Sequence, residues 1–459
     1  FKKNGAWAEV GWDEAFAAVE SGLVPLMEKY GRDAVAVYAG NPCSHTMAGA
    51  LCLRPMFQAL KSRNIYSAST VDQIPKHVSC GLMFGHPGTI AVPDMDRTHF
   101  LLILGADPVA SNGSLATAPD WPGRLRALKR RGGRLLVVDP RTSGTAKLAH
   151  EHLRIRPGGD PFLLMALIWV LFKENRVNPG RLSEHVRGVE SVKELCRAFS
   201  PEAVERRTGI DPAVVYRLSR DLSAAPSAAV YGRMGTSTVE FGTLNQWLMD
   251  VINILTGNLD RAGGAMFPTP AHMPRRNRAG GKGWILGRWK SRVKGLHEVM
   301  GELPVCTLCD EMETPGEGRV RALITVASNP VMALPNADRV ERALAGLDFM
   351  VSVDFYLNAS TRHADVILPP TGPLSTSQYD FSFYNLAVRN IANYSPPVIP
   401  KPGDEMDKWE ILYRLAMIFR GQGASADAAQ MDDAIIGTMV DGAAKKENSP
   451  LHGKETEIL

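Results

Sequence analysis

The sequence predicts a multi-domain α/β protein with parallel, doubly wound, Rossmann-like sheets and one α/β domain inserted into another. Two observations carry this expectation. Short runs that are apolar at every position alternate with helical patterns, as strands do when crossover helices bury both their faces. Nearly every run also closes on Gly, Asn, Asp or Ser, often followed by Pro. At 459 residues the chain is long enough for several domains of roughly 150 residues each.

The elements follow in order. Trp12, Phe16, Val19, Leu23 and Met27 recur at helical spacing and predict an opening helix, which Pro25 should kink or end. Residues 34–38 read as a buried strand closed by Gly40-Asn41-Pro42. The run 100–104 closes on Gly105-Ala106-Asp107-Pro108, and 135–138 on Asp139-Pro140-Arg141, with a helical pattern over 125–131 between them. Asp160 suits the N-cap of a long apolar helix, with Pro161 in its first turn. Residues 228–230 lead through Gly232-Arg233-Met234-Gly235 into an amphipathic helix that Gly257 should cap. The run 323–327 closes on Ser328-Asn329-Pro330, and 350–353 on Asp354. The expected divisions are the end of an N-terminal segment (1–30), a first α/β domain (31–133 with 301–372), an inserted α/β domain (134–300), and a return segment with C-terminal helices (373–459).

Composition excludes several classes. Apolar residues are 45% and charged residues 22%, an ordinary globular balance, so disorder and collagen-like repeats are out. A net charge of +4 is too slight for a dedicated nucleic-acid binder. The longest apolar run, beginning at Phe162, falls well short of the ~20 residues a membrane helix needs. Six cysteines make no disulfide framework, and Cys306-x-x-Cys309 stands alone, either as two loop thiols or as half of a metal site. Residue 1 is Phe, so the start of the chain says nothing of targeting, and the cytoplasm is favoured only by default.

Ligands of parallel sheets bind beyond the carboxyl ends of the strands, where helix N-terminal amides attract anions. Each Asn-Pro or Asp-Pro alone is also ordinary turn chemistry. Their recurrence points to one large, nucleotide-like ligand carrying several phosphates. Arg156 and the amides of Gly158 and Gly159 would face a phosphate at the helix start, and the glycines flanking Arg233 permit close approach. Neither G-x-G-x-x-G nor a Walker A loop is present, so simple NAD and ATP readings lose their support. Between Arg275 and Lys294 eight basic residues occur with no acid, among Gly280, Gly281, Gly283 and Gly287. That stretch reads as a mobile solvated insertion, or as a basic funnel for an anionic substrate or acidic partner, with Trp284 and Trp289 for ordered contact.

These motifs, with Ala364-Asp365-Val366-Ile367-Leu368-Pro369, stand in the order found in molybdopterin oxidoreductases of the dimethyl-sulfoxide-reductase superfamily, which the chain resembles over about 5–420. The superfamily includes formate dehydrogenases and respiratory nitrate reductases. The resemblance implies two molybdopterin guanine dinucleotides around one Mo or W. By resemblance, Asp139, Pro140 and Arg141 with Gly232, Arg233, Met234 and Gly235 hold one dinucleotide, and Arg156, Gly158 and Asp160 flank it. Asn41, Gly105, Asp107, Pro108, Asn329, Pro330, Asp354 and Asp365 hold the remainder; Asp354, for example, can accept a bidentate pair from guanine.

Family members usually give the metal one side chain. Here Ser69-Thr70-Val71-Asp72-Gln73-Ile74-Pro75 places Asp72 at that position, and a hard carboxylate suits high-valent Mo or W. The plainer alternative is that Asp72 caps a helix; Ser69, Ser79 and Cys80 are other candidates for the ligand, and a metal with no protein ligand is a further alternative. Gln73 stands where formate dehydrogenases carry His, which puts formate oxidation in doubt. His77 joins the catalytic candidates as a proton carrier on its reference pKa of ~6.5. No cysteine cluster precedes Cys43, so an iron–sulfur cluster is expected on an N-terminal segment outside this chain, and a C-terminal dinucleotide-binding domain is likewise expected beyond it. The implied activity is two-electron oxo-transfer or dehydrogenation of a small substrate, with electrons passing to an iron–sulfur partner. The rivals are a non-redox hydratase on the same scaffold and a metal-free structural subunit of a respiratory complex.

Overall fold

The computed structural model describes residues 1–3, 5–270, 284–445, 449 and 452. The chain forms two units: one of 1–68, 286–381 and 393–459, the other of 69–285 and 382–392. Nine strands build their two main sheets. In chain order these are β1 Val35–Ala39, β2 Ile65–Ser67, β3 Phe100–Leu104, β4 Arg134–Val138, β5 Glu151–Leu153, β6 Ala228–Gly232, β7 Ala322–Val326, β8 Phe349–Val353 and β9 Val366–Ile367.

In the first unit the order is β9-β8-β7-β1-β2, parallel throughout. Val37, Ile324, Val326, Val351 and Val353 face the helices Trp12–Tyr30, Met47–Leu60 and Lys408–Phe419. The alternate residues Ala36, Tyr38, Leu323 and Met350 meet the helices Leu308–Glu313 and Ala337–Ala345 on the other side. Burying each large apolar side chain contributes about 1.5–3 kcal/mol, so a sheet covered on both faces is the dominant stabilising element.

The second unit has the order β5-β4-β3-β6, again parallel. Leu102, Leu104, Leu136, Val138 and Val230 pack beneath the helices Asp160–Lys173, Pro212–Ala224 and Gly242–Leu255. Leu101, Ile103, Leu135, Val137 and Tyr231 point the other way, toward Trp121 and Leu125 of the helix Trp121–Arg130. The excursion 382–392 adds Leu386 and Val388 to that layer.

Three expectations are corrected. The first concerns boundaries. Residues 100–104 were expected in the first domain, but β3 lies between β4 and β6 and belongs to the second unit. The divisions therefore fall at 68/69 and 285/286, and most of 373–459 stays with the first unit. Secondly, Pro25 lies inside the helix Trp12–Tyr30 without ending it, because the buried stripe Phe16, Val19, Leu23 and Met27 runs past it. Thirdly, Gly159 takes the N-cap position and Asp160 is the first helical residue.

The first part of the basic stretch, 275–283, lies outside the described residues. Its described remainder is pinned by acids from later in the sequence: Arg288 by Glu298, Arg292 by Glu311 at 3.1 Å and Lys294 by Asp310 at 2.8 Å. Their charges are paired, although the Arg288 and Lys294 side chains stay about half exposed.

Candidate functional site

In each sheet the strand order reverses once, between β7 and β1 in the first unit and between β3 and β6 in the second. Chains leaving on either side of such a reversal open a crevice at the carboxyl edge. At both reversals the opposing loops meet through glycine. A Cβ on Gly40 would lie 1.8 Å from the Ala327 carbonyl oxygen. Gly105, in the left-handed region at φ +53°, and Gly235 would each bring a Cβ to 2.8 Å of the other loop's backbone. The Gly235 amide donates to the Gly105 carbonyl at 2.9 Å. These glycines form the floors of the crevices.

The first-unit crevice opens into a cavity of about 1000 Å³ whose lining includes Asn41, Ser328, Asn329, Asp354, Tyr356 and Lys408. Asn329 accepts from the Ser360 hydroxyl at 2.7 Å, and Asp354 from the Tyr356 amide at 3.0 Å. Burial pushes the Asp354 carboxyl above its ordinary range, while the Tyr356 amide and Lys408 pull it back. Tyr38, Thr371 and Asp407 also contribute to the lining, with Tyr38 Oη and Thr371 Oγ1 themselves buried and without a hydrogen-bond partner. Pro330 is buried as the first residue of a helical turn and is not among the lining residues.

Asp365 is elsewhere. It precedes β9, so it sits at the amino end of that strand, where its carboxylate accepts from the Met350 amide at 2.8 Å. Ligands of such sheets gather at the opposite edge, so Asp365 is a structural brace.

The second unit carries the remaining candidates. Asp72 ends a short turn, Ser69–Asp72, and Gln73 separates it from the helix Ile74–Phe84. Asp72 therefore does not cap that helix. Its carboxylate, about a third exposed, faces Arg233 Nη2 at 3.7 Å. That separation is an ion pair, too long for a hydrogen bond. Burial holds the Asp72 carboxyl above the ordinary carboxylate range, with Arg233 acting in the opposite sense. His77 Nδ1 donates to the Pro87 carbonyl at 2.9 Å in the tautomer this contact selects. Burial, reinforced by Arg233, Lys76 and His86, lowers its pKa, so His77 is neutral at pH 7 with Nε2 as acceptor. That revises the expectation of a proton carrier titrating at its reference pKa.

Along the same sheet's carboxyl edge, Asp139 accepts from the Arg141 amide at 2.8 Å. Asp107 is committed internally, accepting from the Thr145 hydroxyl at 2.6 Å and from the Thr145 and Gly144 amides. Pro108 is buried as the start of the turn after it, whereas Pro140 and Met234 are exposed. Arg141 and Arg156 are exposed, and Gly158, at φ +79°, opens onto free space. Asp160, buried and near Asp139, has its carboxyl pushed up to about 6. Gly232 packs against Met249, where a Cβ would meet the sulfur at 2.5 Å. Among the described residues no group of three or more His, Cys, Asp or Glu could hold a metal, and Cys306 and Cys309 form no disulfide. Sequence reasoning missed Tyr38, Thr371 and Lys408; among them only Tyr38, at the end of a buried run, carried a local signal.

Doubly wound sheets of this kind define a class of proteins whose ligands bind in the crevice where the strand order reverses. Within that class the chain belongs to the molybdopterin oxidoreductase family, whose model matches residues 1–417. It is similar to formate dehydrogenase H of Escherichia coli, 24% identical over 90% of this chain and 58% of the relative. It is also similar to the assimilatory nitrate reductase catalytic subunit of Bacillus subtilis, 23% identical over 90% and 59%. The fold is that of acetylene hydratase from Pelobacter acetylenicus, with TM-score 0.73 at 19% identity, covering 91% of this chain and 60% of that one. The chain spans about 60% of the length of the first curated relatives it matches. Among the described residues no helix is long and apolar enough to cross a membrane.

Proposed function

We propose that the chain is the cofactor-binding centre of a molybdenum- or tungsten-dependent oxidoreductase that holds bis-molybdopterin guanine dinucleotide. The supporting observation is the cavity of about 1000 Å³ at the strand-order reversal, a size that suits a dinucleotide, with Asn41, Ser328, Asn329 and Asp354 among its lining residues. Asn41, Ser328, Asn329 and Asp354 would hold one dinucleotide there. Arg141, Arg156 and the Gly158 amide would hold phosphates of the other, and Asp139 would accept from its hydroxyl or amino groups. Asp72 would supply the protein oxygen to the metal.

When bound, such a cofactor supplies two-electron redox chemistry. The residues prepare the ground for it. Arg233 offsets the Asp72 charge. Neutral His77 can accept a proton at Nε2 while Nδ1 stays on Pro87. Asp107 clamps the turn beginning at Gly144 and keeps the adjacent crevice floor rigid. The reaction is oxo-transfer or dehydrogenation of a small substrate, with electrons passing to an iron–sulfur partner. In support of a partner, a relative from Methanococcus maripaludis is named as the alpha subunit of a formate dehydrogenase.

The test is elemental analysis of the full-length protein from a cofactor-competent host. Stoichiometric Mo or W, with guanine released by acid, is expected, and Asp72→Ala should change the metal-edge absorption spectrum. Absence of both metal and guanine overturns the reading.

A further inference from the structure

Two ion pairs join the same two segments of the second unit. One is Asp72–Arg233 at 3.7 Å. The other lies four residues further along, where Lys76 Nζ donates to Asp250 Oδ2 at 2.7 Å, with side chains 10% and 3% exposed. Lys76 is in the first turn of the helix Ile74–Phe84 that follows Asp72, and Asp250 is in the middle of the helix Gly242–Leu255. One turn earlier on that second helix, Gln246 Nε2 donates to the Thr236 and Ser237 hydroxyls at 2.9 and 3.1 Å. Asn245 Nδ2 donates to the Thr236 carbonyl at 3.0 Å. Thr236 and Ser237 belong to the turn that begins beside Arg233. One helix thus grips both the segment carrying Asp72 and the turn carrying Arg233. Lys76, Asp250 and Gln246 also line one small cavity with Tyr231 and Gly232.

Adhesion does not account for a buried Lys–Asp pair. Apolar side chains of the same size would join the helices at lower desolvation cost. A charge pair adds register, because slippage of either helix would leave two buried charges without partners. We propose that Lys76, Asp250 and Gln246 are positioning residues that set the Asp72 carboxylate against Arg233 and so fix its approach to the cofactor metal. This rests on the reading of Asp72 as the metal's protein ligand. The separation of roles is specific: Asp72 would touch the metal, and the buried trio would act only through it.

The experiment uses the full-length holoenzyme and reads thermal midpoint, metal content and metal-edge absorption for Asp72→Ala, Lys76→Met and Lys76→Met/Asp250→Leu. The single Lys76→Met should lower the midpoint sharply, because it strands the Asp250 carboxylate. The double variant should recover wild-type stability or better, yet still lose the Asp72-dependent spectral feature and roughly tenfold or more of turnover, since small misplacements cost about that much. Gln246→Met, which keeps the ion pair but frees Thr236 and Ser237, should perturb the same feature in a stable protein and gives the answer if the double variant does not fold. Recovery of both stability and spectrum in the double variant, or an unperturbed Gln246→Met spectrum, overturns the inference while leaving the ligand reading intact. A wild-type spectrum unaffected by Asp72→Ala overturns both.

Discussion

Asp160 shows what burial does to a single carboxyl. It stands at the first position of a helix, where the dipole favours its anion, yet desolvation prevails and its pKa reaches about 6. A folded-state value above the unfolded one means that ionisation opposes folding. Below pH ~4 the group is protonated in both states and contributes nothing. As pH rises from there to 6 the unfolded chain ionises first, and stability falls, levelling off above that point. The total loss is about 3 kcal/mol. Asp160→Asn should therefore raise the thermal midpoint of the cofactor-free protein at pH 7.5 and leave it unchanged at pH 4. An equal shift at both values would refute the assignment. Other single residues show where reading a sequence stops. Asp107 and Asp365 sit in motifs that resemble ligand sites, but Thr145 and Met350, which engage them, are remote in sequence and carry no mark of it. Arg141, Asn329 and Asp354 could be proposed from sequence because each lies within three residues of a strand end, and strand ends are written in the local pattern.

At the scale of elements, the recurring Gly after a strand has a mechanical cause. Gly40 must pass the Ala327 carbonyl with no room for a side chain. Gly40→Ala forces β1 and β7 loops apart and should cost about 1–3 kcal/mol, as overpacking does. It should also reduce bound guanine, measured by acid release, because the cavity wall includes both loops. Retention of full guanine content with a normal midpoint would contradict this. The strands themselves were readable because burial on both faces demands apolar residues at every position. Their partners were not, since pairing is a property of the sheet: nothing local to residues 100–104 states that β3 lies between β4 and β6. The same limit hid Asp250. A lysine on an apolar helix face is visible in sequence, but its carboxylate lies 174 residues away.

At the scale of the molecule, the second unit is not made by one continuous stretch. Segment 382–392 places Leu386 and Val388 in its core, and Arg389 pairs with the buried Asp94 at 3.1 Å and with Asp96 at 2.9 Å. Losing two such side chains removes about 3–6 kcal/mol of burial at ~1.5–3 each, comparable to the net stability of a domain. Residues 69–285 produced alone should bind a hydrophobic dye and unfold at lower denaturant than the same fragment supplied with a peptide of 382–392. A fragment indifferent to the peptide would show that the excursion is only passive packing.

Strand order also sets a timetable. β1 and β2 leave the ribosome well before their sheet partner β7, which begins only at Ala322. At roughly 5–20 residues per second the wait between them lasts more than ten seconds. During it β1 presents an unpaired, wholly apolar edge next to a nascent second unit that can already fold. The amino-terminal strands therefore form a window of aggregation risk during synthesis, and slowed translation between β2 and β7 should lengthen it and increase the demand for chaperones.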